Sequence, residues 1–398
     1  MLEMTADQRR LVARAAAFAA DAVAPLVGEM DRTNAYPWPA VEALAGEGFM
    51  AMTCPREYGG GGRPLIDAVL VVEEIAKVCG TVARIVVDAN TAVPKAIVEH
   101  GSEDQKRRFI PRIAAGDKPV IAITEPESGS AATWLTTSAT VDGGEVRLDG
   151  EKCWITGAGV SQLYLVFARF DGRAGAEGIG AVLVTADTAG LSVPKVPLMM
   201  GVRGMPEGDV RLENCRVPKD QILVPPGGGF KKLMRCYNLQ RIGAAAVALG
   251  IAQGAFDMAA DYAARRRQFG QPIGEFQGLR WMLADMYMRL EAARLLVHRA
   301  ALDLQGGFPD KVNAAVAKVT ASETAIAVTN AALQIHGARG YSCELPLERM
   351  ARDARMFTIG GGTAEMQRDL IGREVVRKAA CAGTAPARGG DRSSGDAG

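Results

Sequence analysis

The segment Ile123-Thr124-Glu125-Pro126-Glu127-Ser128-Gly129-Ser130 marks the point at which the chain changes from helical to β-rich sequence. Before it, residues 1–118 carry apolar side chains at helical spacing, as in the Ala-rich stretch from Leu11 to Ala24. After it, short apolar runs such as Leu163–Ala168 alternate with glycine-containing turns, which predicts β-strands. From Gly229 onward the helical spacing returns.

The predicted order is therefore helices, a β-rich block and helices again, with breaks near residues 118 and 225. At 398 residues the chain is long enough for two or three packed units. Because ligands often bind where such units meet, we expect the functional site at the junction of the blocks. The tail from 379 to 398 is rich in Gly, Ala and Ser, a composition that predicts disorder.

The composition is that of an ordinary globular protein, with 48% hydrophobic and 23% charged residues and a formal net charge of +1. This balance favours neither a nucleic-acid nor a membrane partner, and no apolar run approaches the ~20 residues of a membrane span. The polar N-terminus has no signal-peptide pattern and the seven scattered cysteines form no CxxC pair, so we expect a cytoplasmic protein. Three widely spaced histidines predict no metal site.

A second segment, Lys152-Cys153-Trp154-Ile155-Thr156-Gly157, follows the first by about thirty residues. Taken separately, the first segment is a polar turn that ends a strand, and Trp154 is a core residue beside a hydroxyl group. Taken together, the two segments offer hydroxyl donors and an aromatic face, which suit a flat heteroaromatic ring with hydrogen-bonding edges.

Three further segments place arginine, aromatic or glycine residues in turns. They are Arg265-Arg266-Arg267-Gln268-Phe269-Gly270-Gln271-Pro272-Ile273 with Phe276-Gln277, then Gln334-Ile335-His336-Gly337-Ala338-Arg339-Gly340, then Gly360-Gly361-Gly362-Thr363. The arginines either form a solvated helix end or hold a pyrophosphate by bidentate contacts. Glycine lets backbone N–H groups approach a phosphate or a ring, but a glycine run alone is not specific.

In this order and at these intervals the segments resemble the acyl-CoA dehydrogenase family over roughly residues 5 to 378. The resemblance implies an α+β, mostly α fold with an N-terminal helical domain (1–118), a middle β-domain (119–225) and a C-terminal four-helix bundle (226–378). It also implies FAD as cofactor, an acyl-CoA thioester as substrate, and a homotetramer in which FAD lies between subunits.

The resemblance also implies a set of FAD contacts, which are Thr124, Ser130, Trp154, Thr156, Arg266, Phe269, Gln277, Gln334, Gly337, Thr363 and Glu365. Thr124, Trp154 and Thr156 look like contacts of the isoalloxazine ring, and Ser130 looks like a pyrophosphate contact. Arg266, Phe269 and Gln277 look like contacts to the FAD of a neighbouring subunit. Gly337 and Thr363 complete the cradle, and Ala338 stands where a Gly is common in the family.

The carboxylate that family dehydrogenases use as a base has no counterpart at either of its usual positions. In such enzymes a Glu removes the thioester α-proton while the β-hydride goes to the flavin. The first position is Gly361 in this chain, and the second is Gln240, just before Arg241. An amide donates and accepts hydrogen bonds but does not act as a base near neutral pH.

Three explanations for the missing carboxylate are open. A third carboxylate, such as Asp88 or Glu365, could take over its role. Alternatively, the protein is a silent FAD-binding scaffold. The last alternative is a reaction that needs no removal of an α-proton.

Two other departures from the family are present, the first in a segment whose family counterpart walls the acyl pocket. The segment Cys79-Gly80-Thr81-Val82-Ala83-Arg84-Ile85-Val86-Val87-Asp88 is normally neutral there, but here it carries Arg84. This arginine is either a surface partner of Asp88 one helical turn later or a residue that binds an anionic group on a short acyl chain. The second departure is Met205 and Glu207, which replace a Ser and a Thr and which also fit plain loop drift.

Arg84, Gln240 and the segment Arg203-Gly204-Met205-Pro206-Glu207-Gly208-Asp209 together resemble one branch of the family, the 3-sulfinopropionyl-CoA desulfinases. That branch removes sulfite from its substrate and leaves propionyl-CoA without net redox change. The resemblance implies that Arg84 and Gln240 are catalytic and that they bind substrate together with Arg241. The alternatives are a short-chain acyl-CoA dehydrogenase or reductase with an unusual base, and a catalytically silent flavoprotein.

Overall fold

The computed structural model describes residues 3–383 and begins with a helical region. Its helices are α1 (Ala6–Phe18), which continues through a π-helical turn (Ala19–Val23) into α2 (Ala24–Thr33), then α3 (Trp38–Gly46), α4 (Leu65–Ala76), α5 (Gly80–Asn90), α6 (Ala92–His100) and α7 (Glu103–Ala114). Capping boxes start two of them, with Thr5 before α1 and Ser102 before α7. In each box a side chain accepts a bond from a backbone N–H that the helix itself cannot satisfy.

Helix α5 lies in the interior of the protein, since all of its residues from Gly80 to Asn90 are buried. It packs against α4 and against the long helix α8 (Gly229–Arg265). Arg84 and Asp88 therefore lie in the core, and the alternative that made Arg84 a surface residue is wrong, although its pairing with Asp88 is present.

The middle of the chain forms an eight-stranded sheet in the order β6-β7-β3-β2-β4-β5-β8, with β1 paired to β4. Its strands are β1 (Val120–Ala122), β2 (Ser138–Asp142), β3 (Glu145–Thr156), β4 (Leu163–Phe170), β5 (Ile179–Thr185), β6 (Leu191–Lys195), β7 (Glu207–Pro218) and β8 (Ile222–Val224). Strand β4 is parallel to β1 and β2, and the other pairs are antiparallel. The register of β3 and β7 places Thr156 opposite Glu207.

Helices return after the sheet. They are α8, α9 (Gln277–Leu302), α10 (Lys311–His336), α11 (Ala338–Tyr341), α12 (Leu347–Met356) and α13 (Ala364–Gly383). Helix α10 packs against α8, α9, α12 and α13. A short hairpin, Arg267–Gln268 with Gln271–Pro272, joins α8 to α9. The four long helices α8, α9, α10 and α13 thus form the C-terminal helical part.

The long helix α8 approaches α4 at a distance that only glycine allows. A Cβ atom added at Gly250 would lie 2.4 Å from the carbonyl oxygen of Glu73, and one at Gly254 would lie 2.3 Å from that of Lys77. Both distances are too short for a real Cβ contact, so a larger residue at either position must displace the backbone of the neighbouring segment. The small residues of α8 thus let it pack tightly against α4.

The expected α+β, mostly α architecture is confirmed, with helices on both sides of a central sheet region. The domain boundaries near residues 118 and 225 stay a prediction. The predicted disorder of the tail is wrong for 379–383, because α13 continues to Gly383. The rest of that tail, 384–398, lies outside the described residues.

Two helical segments are long and apolar enough to cross a membrane by length and composition, namely Ala6–Thr33 and Gly229–Arg265. This differs from the expectation that no apolar run approaches that length. In the second segment 78% of the apolar window is buried inside the protein, as in the core helix of a water-soluble fold. The first segment lies near the N-terminus with 33% of its window buried.

A buried ion pair joins the two segments from which the sequence analysis began. Lys152 Nζ, which is fully buried, lies 2.8 Å from Glu125 Oε1. The Glu125 carboxylate also accepts bonds from the backbone N–H and hydroxyl groups of Thr136 and Thr137. Burial alone raises the pKa of Glu125, but Lys152 and these hydrogen bonds outweigh burial and lower the pKa to about 2. The pair thereby fixes Thr124 beside strand β3.

Glu125→Gln should destabilise the protein by roughly 3–5 kcal/mol at neutral pH, because the change leaves the Lys152 ammonium group buried without its counter-ion. A carboxyl group with a lowered pKa stabilises the fold above its unfolded pKa and loses that effect as the pH falls through its folded pKa. The stability difference from the unsubstituted protein should therefore shrink as the pH falls from about 4.5 to about 2. Urea denaturation at several pH values measures it.

The exposed neighbour Glu127 gives a matched control, since Glu127→Gln also removes one negative charge from the same turn. It should change stability by less than about 0.5 kcal/mol. Equal effects of the two substitutions would contradict the role assigned to the buried pair.

Candidate functional site

A large cavity of about 1030 Å³ opens where the helical regions and the sheet meet. Its wall combines α5, the end of β3, the start of β7, the first half of α8 and the turn at 360–363. The cavity lies at the junction of the blocks, as expected. It brings together the predicted site residues Arg84, Gln240, Arg241, Thr124, Ser130, Trp154, Thr156 and Thr363.

Arg84 points from the buried helix α5 into this cavity and is only partly engaged by the protein. Its Nε lies 3.4 Å from Asp88 Oδ1, and its Nη2 lies 3.3 Å from the hydroxyl of Thr156. Its Nη1 lies 3.6 Å from the thioether sulfur of Met356. A thioether is a weak acceptor, so this part of the guanidinium keeps N–H donors for a ligand.

Asp88 is held ionised by the cations on both sides of it. Lys118 Nζ lies 3.0 Å from Asp88 Oδ2, and Gln240 Nε2 donates to Asp88 Oδ1 beside Arg84. Burial alone raises the pKa of Asp88, but the charges of Lys118 and Arg84 outweigh burial and hold the pKa below its usual value. An aspartate bound in this way is a poor proton acceptor, which argues against Asp88 as a replacement base.

Gln240 lies on α8 with both ends of its amide engaged. Its Nε2 donates to Asp88 Oδ1, and its Oε1 contacts the hydroxyl of Thr91. These two contacts fix the orientation of the amide, with its oxygen toward a donor and its nitrogen toward a carboxylate. The position that carries the base in part of the family is therefore a neutral, oriented group in this protein.

Glu207 is a functional candidate that the sequence analysis treated only as a difference from the family. Its side chain is buried at the start of β7 and lines the cavity. Both carboxylate oxygens lie within hydrogen-bond distance of Thr156 Oγ1, at 2.9 and 2.7 Å. Burial, only partly offset by Arg84 and Thr156, raises the pKa of Glu207 to about 7. The one signal in the sequence is a carboxylate at a position that is neutral in ordinary relatives.

The other candidate carboxylate and the second family position do not provide a base. Glu365 is exposed at the start of α13 and does not line the cavity. Gly361 has φ +78, a left-handed conformation that a residue with a side chain rarely adopts. Arg241 bonds Asn238 Oδ1 at 2.6 Å and reaches the carbonyl of Gly361 at 3.4 Å, so it supports the turn that lacks the base.

The opposite wall of the cavity fits a flat cofactor. Trp154 lines the cavity with 57% of its surface exposed and with φ +57, although it lies at the end of a strand. A bulky residue in a left-handed conformation is strained, and such strain commonly marks a ligand site. Thr124, Ser130 and Thr156 add hydroxyl groups along the same wall. These residues fit the isoalloxazine and pyrophosphate groups of FAD.

The remaining predicted FAD contacts lie outside the cavity lining. Within the described chain these residues are exposed and do not line the cavity, namely Arg266, Phe269, Gln277, Gln334, Gly337 and Glu365. Phe269 is 94% exposed with φ +49. Tyr262 stacks on His336 with ring centroids 4.2 Å apart. This contact brings the end of α8, which precedes the turn at Gly270, next to the end of α10, which precedes the turn at Gly337. The role of Arg266, Phe269 and Gln277 toward the FAD of a neighbouring subunit stays a prediction, as do the FAD contacts of the other three residues.

The chain matches three sequence profiles that together span most of its length. They are the N-terminal domain of acyl-CoA dehydrogenase at residues 5–117, the middle domain at 120–215 and the C-terminal domain at 227–376. The order of the three profiles is the order of the helical, β and helical regions described above.

Individual relatives cover nearly the whole chain. It is 52% identical over 375 residues to a 3-sulfinopropanoyl-CoA desulfinase of Paraburkholderia xenovorans (strain LB400), which covers 93% of this chain and 96% of the relative. It is 38% identical over 378 residues to an acryloyl-CoA reductase (NADH) of Anaerotignum propionicum, with 94% and 96% covered. Its structure matches butyryl-CoA dehydrogenase from Megasphaera elsdenii with TM-score 0.92, 35% identity, and 95% and 100% covered.

Gln240→Glu should destabilise the protein at neutral pH, because the new carboxylate contacts Asp88, which the structure holds ionised. Two carboxylates in contact raise the pKa of one of them, so the new group stays protonated and is a poor base. A carboxyl group with a raised pKa loses stability as the pH rises above its unfolded value of about 4.3. The melting temperature relative to the unsubstituted protein should thus be lower at about pH 8 than at about pH 4, measured by calorimetry.

The double substitution Asp88→Asn with Gln240→Glu removes the like charge and serves as the control. It should remove most of this pH dependence. A Gln240→Glu protein whose relative stability is the same at both pH values would contradict the contact with Asp88.

Proposed function

The chain belongs to the acyl-CoA dehydrogenase family, whose members are FAD-dependent flavoproteins, and from this we propose that it cleaves 3-sulfinopropionyl-CoA to propionyl-CoA and sulfite. The observation that carries the proposal is Arg84, a buried guanidinium that faces the acyl cavity with N–H donors to spare. The 52% identity to a 3-sulfinopropanoyl-CoA desulfinase supports the same substrate.

A sulfinate is the kind of group that Arg84 can bind. It presents two oxygens that share one negative charge, and a guanidinium offers paired N–H donors to such a group. Lys118, the other buried cation of the cluster, is already paired with Asp88 at 3.0 Å and bonded to the carbonyl of Thr156 at 2.9 Å. Arg84 is thus the cation that remains for the substrate at this end of the cavity.

The missing base supports a reaction other than dehydrogenation. Gln240 and Gly361 are neutral, Asp88 is held ionised, Glu365 lies outside the cavity, and the remaining carboxyl group near Arg84, that of Glu207, stands at neither of the two family positions of the base. Removal of an α-proton from a thioester needs a carboxylate that takes the proton from carbon. Cleavage of the C–S bond needs no such step, so the arrangement fits the third explanation given above.

The proposed overall reaction is hydrolytic and balanced without an oxidant or a reductant. The C–S bond of the sulfinate breaks, its electron pair stays on carbon, and this carbon receives a proton. Water supplies the oxygen that converts the leaving sulfur dioxide unit into hydrogen sulfite. Arg84 holds the sulfinate oxygens, and the fixed amide of Gln240 positions the acyl chain, with Arg241 supporting the adjacent turn.

FAD supplies the family with a hydride acceptor beside the acyl chain, a capacity that a redox-neutral cleavage does not consume. In this chain Trp154, Thr156, Thr124 and Ser130 would hold it along the cavity wall. Thr363, at the glycine turn, lines the same cavity. The protein's contribution to cofactor binding is therefore a shaped wall with hydroxyl donors.

We also propose that the protein is a cytoplasmic homotetramer that completes each FAD site with residues of a neighbouring subunit. Helix α9 exposes large apolar side chains that its own chain does not cover, among them Trp281, Tyr287 and Leu295. Phe269 is exposed beside it in the hairpin that leads into α9. Apolar residues clustered in this way are typical of a subunit interface.

Arg84→Ala should reduce sulfite release from 3-sulfinopropionyl-CoA by about 30-fold to several thousand-fold, since an unpaired anion in a desolvated site costs about 2–5 kcal/mol. Arg84→Lys keeps the charge but loses the fork of donors, so it should stay strongly impaired. Steady-state sulfite release measures both variants, with FAD absorbance as the check on folding. Rapid flavin reduction by butyryl-CoA in the unsubstituted protein would instead favour the dehydrogenase or reductase alternative.

Arg349 on α12 gives a matched control for the loss of a buried arginine. It is paired with an aspartate four residues later, as Arg84 is, with an N–O distance of 3.5 Å, and it does not line the cavity. Arg349→Ala should lower stability but leave the rate of sulfite release per FAD nearly unchanged. If Arg84→Ala retains full sulfite release, the proposed role of Arg84 is wrong.

Phe269→Ser should weaken FAD binding about tenfold or more and reduce the number of subunits in the assembly. Loss of a contact worth about 1.4 kcal/mol weakens binding tenfold. A side chain that is 94% exposed buries little surface within its own chain, so its loss should cost that chain little folding free energy. FAD content by absorbance and mass by light scattering, relative to the 42.0 kDa chain, measure the effect. Leu198→Ser, a comparably exposed apolar residue outside the cavity lining, should change neither quantity.

A further inference from the structure

We propose that Glu207 is a further catalytic residue of the desulfination, in which its carboxyl group delivers the proton to the carbon that loses sulfur. The inference rests on the proposed function and assigns a step that Arg84 and Gln240 cannot perform. Arg84 stays protonated in proteins and an amide carries no transferable proton near neutral pH. Cleavage nevertheless requires a proton at carbon, so a donor must lie close to the bound sulfinate.

The position of Glu207 meets that requirement. Its side chain lines the cavity, and its carboxyl group shares the hydroxyl of Thr156 with Arg84, whose Nη2 lies 3.3 Å from the same oxygen. The group that binds the sulfinate and the proposed proton donor are thus separated by one oxygen atom. Among the described residues, Thr156 is the hydrogen-bond partner of the Glu207 carboxyl group, which leaves its remaining oxygen positions for the substrate.

Burial keeps Glu207 able to hold a proton despite the cations near it. Arg84 and Lys118 favour its ionised form, whereas Asp88 and the buried phenol of Tyr237 on α8 face the same cluster and do not. Burial dominates, and the pKa of Glu207 is raised to about 7. A sulfinate bound at Arg84 adds a negative charge to the cluster, which raises this pKa further. Substrate binding therefore favours the protonated carboxyl group that the step needs.

The proposed step balances in atoms and electrons. Protonated Glu207 gives its proton to the β-carbon as the C–S bond breaks and the bonding pair stays on that carbon. The products are propionyl-CoA, sulfur dioxide and ionised Glu207. Water then adds to sulfur dioxide to give hydrogen sulfite, and the proton released from that water returns to Glu207.

Among the described residues, no other titratable group that lines this end of the cavity fits the role. Asp88 is held ionised by Lys118 and Arg84, so it has no proton to give. Burial raises the pKa of Tyr237, which makes its phenol a weaker acid than usual. Glu207 is also placed by the sheet rather than by a loop, because β3 and β7 pair at Thr156 and Glu207. A donor on paired strands keeps its distance to Arg84.

Glu207→Gln tests the step, because the amide keeps the size of the side chain and its contact with Thr156 but cannot donate an acid proton. We expect kcat for sulfite release to fall about 10²–10⁴-fold, the usual contribution of general acid catalysis. The affinity for succinyl-CoA, an unreactive analogue with a carboxylate in place of the sulfinate, should stay within about threefold. FAD content should be unchanged. Retention of more than about a tenth of the kcat would overturn the proposal.

The pH dependence of kcat separates proton donation from a structural role. In the unsubstituted enzyme kcat/KM should fall as the pH rises above about 7, and kcat should fall at a higher pH, since bound sulfinate raises the pKa of Glu207 and the reactive form is the protonated one. The residual kcat of Glu207→Gln should lack this alkaline decrease. If the variant does not fold, the profile of the unsubstituted enzyme still decides, because a kcat that is flat from about pH 6 to about pH 10 excludes the acid.

Glu213→Gln is the matched control, since Glu213 lies on the same strand β7 with an exposed side chain and should behave like the unsubstituted enzyme. Failure of the proposed function looks different from failure of this step. An unsubstituted protein that releases no sulfite removes both. An unsubstituted protein that releases sulfite, together with an equally active Glu207→Gln variant, removes the role of Glu207 alone.

Discussion

The ion pairs of Asp88 are the interaction on which the rest of the site depends. The carboxylate comes from the buried helix α5, Lys118 comes from the segment before β1, and Gln240 comes from α8. One acidic group thereby joins the N-terminal helices, the sheet and the C-terminal helices. Since a buried charge is stable only with partners in good geometry, these contacts set the mutual positions of Arg84, Thr156 and the acyl cavity.

The sequence predicts the order of the elements because hydrophobic spacing depends on local periodicity, which changes clearly at residues 123 and 229. It also identifies Trp154, Thr156 and Arg84, since each stands out within a short segment. The importance of Lys118 is not visible in this way, because its partner Asp88 is thirty residues away in another element. Contacts of this kind follow from strand register and helix packing, which no short stretch of sequence specifies.

Glu207 is the clearest case of what the sequence leaves out. As one residue in a loop-like segment it reads as a chance difference, yet the pairing of β3 with β7 buries it against Thr156. Burial changes its acid strength, and burial is a property of the folded chain. Relative to the family, the carboxylate is absent at Gln240 and Gly361, and ionisable side chains stand instead at Arg84 and Glu207.

Because α8 packs closely against α4 at Gly250 and Gly254, it acts as a rigid spacer. At a rise of 1.5 Å per residue its 37 residues span about 55 Å. Gln240 lies in its first half and the hairpin with Phe269 follows its last residue, so one rigid helix sets the interval between the cavity and that exposed hairpin. An insertion in this helix would rotate the cavity and the hairpin by about 100° per residue relative to each other. The number of residues in α8 is therefore constrained as strictly as their identities.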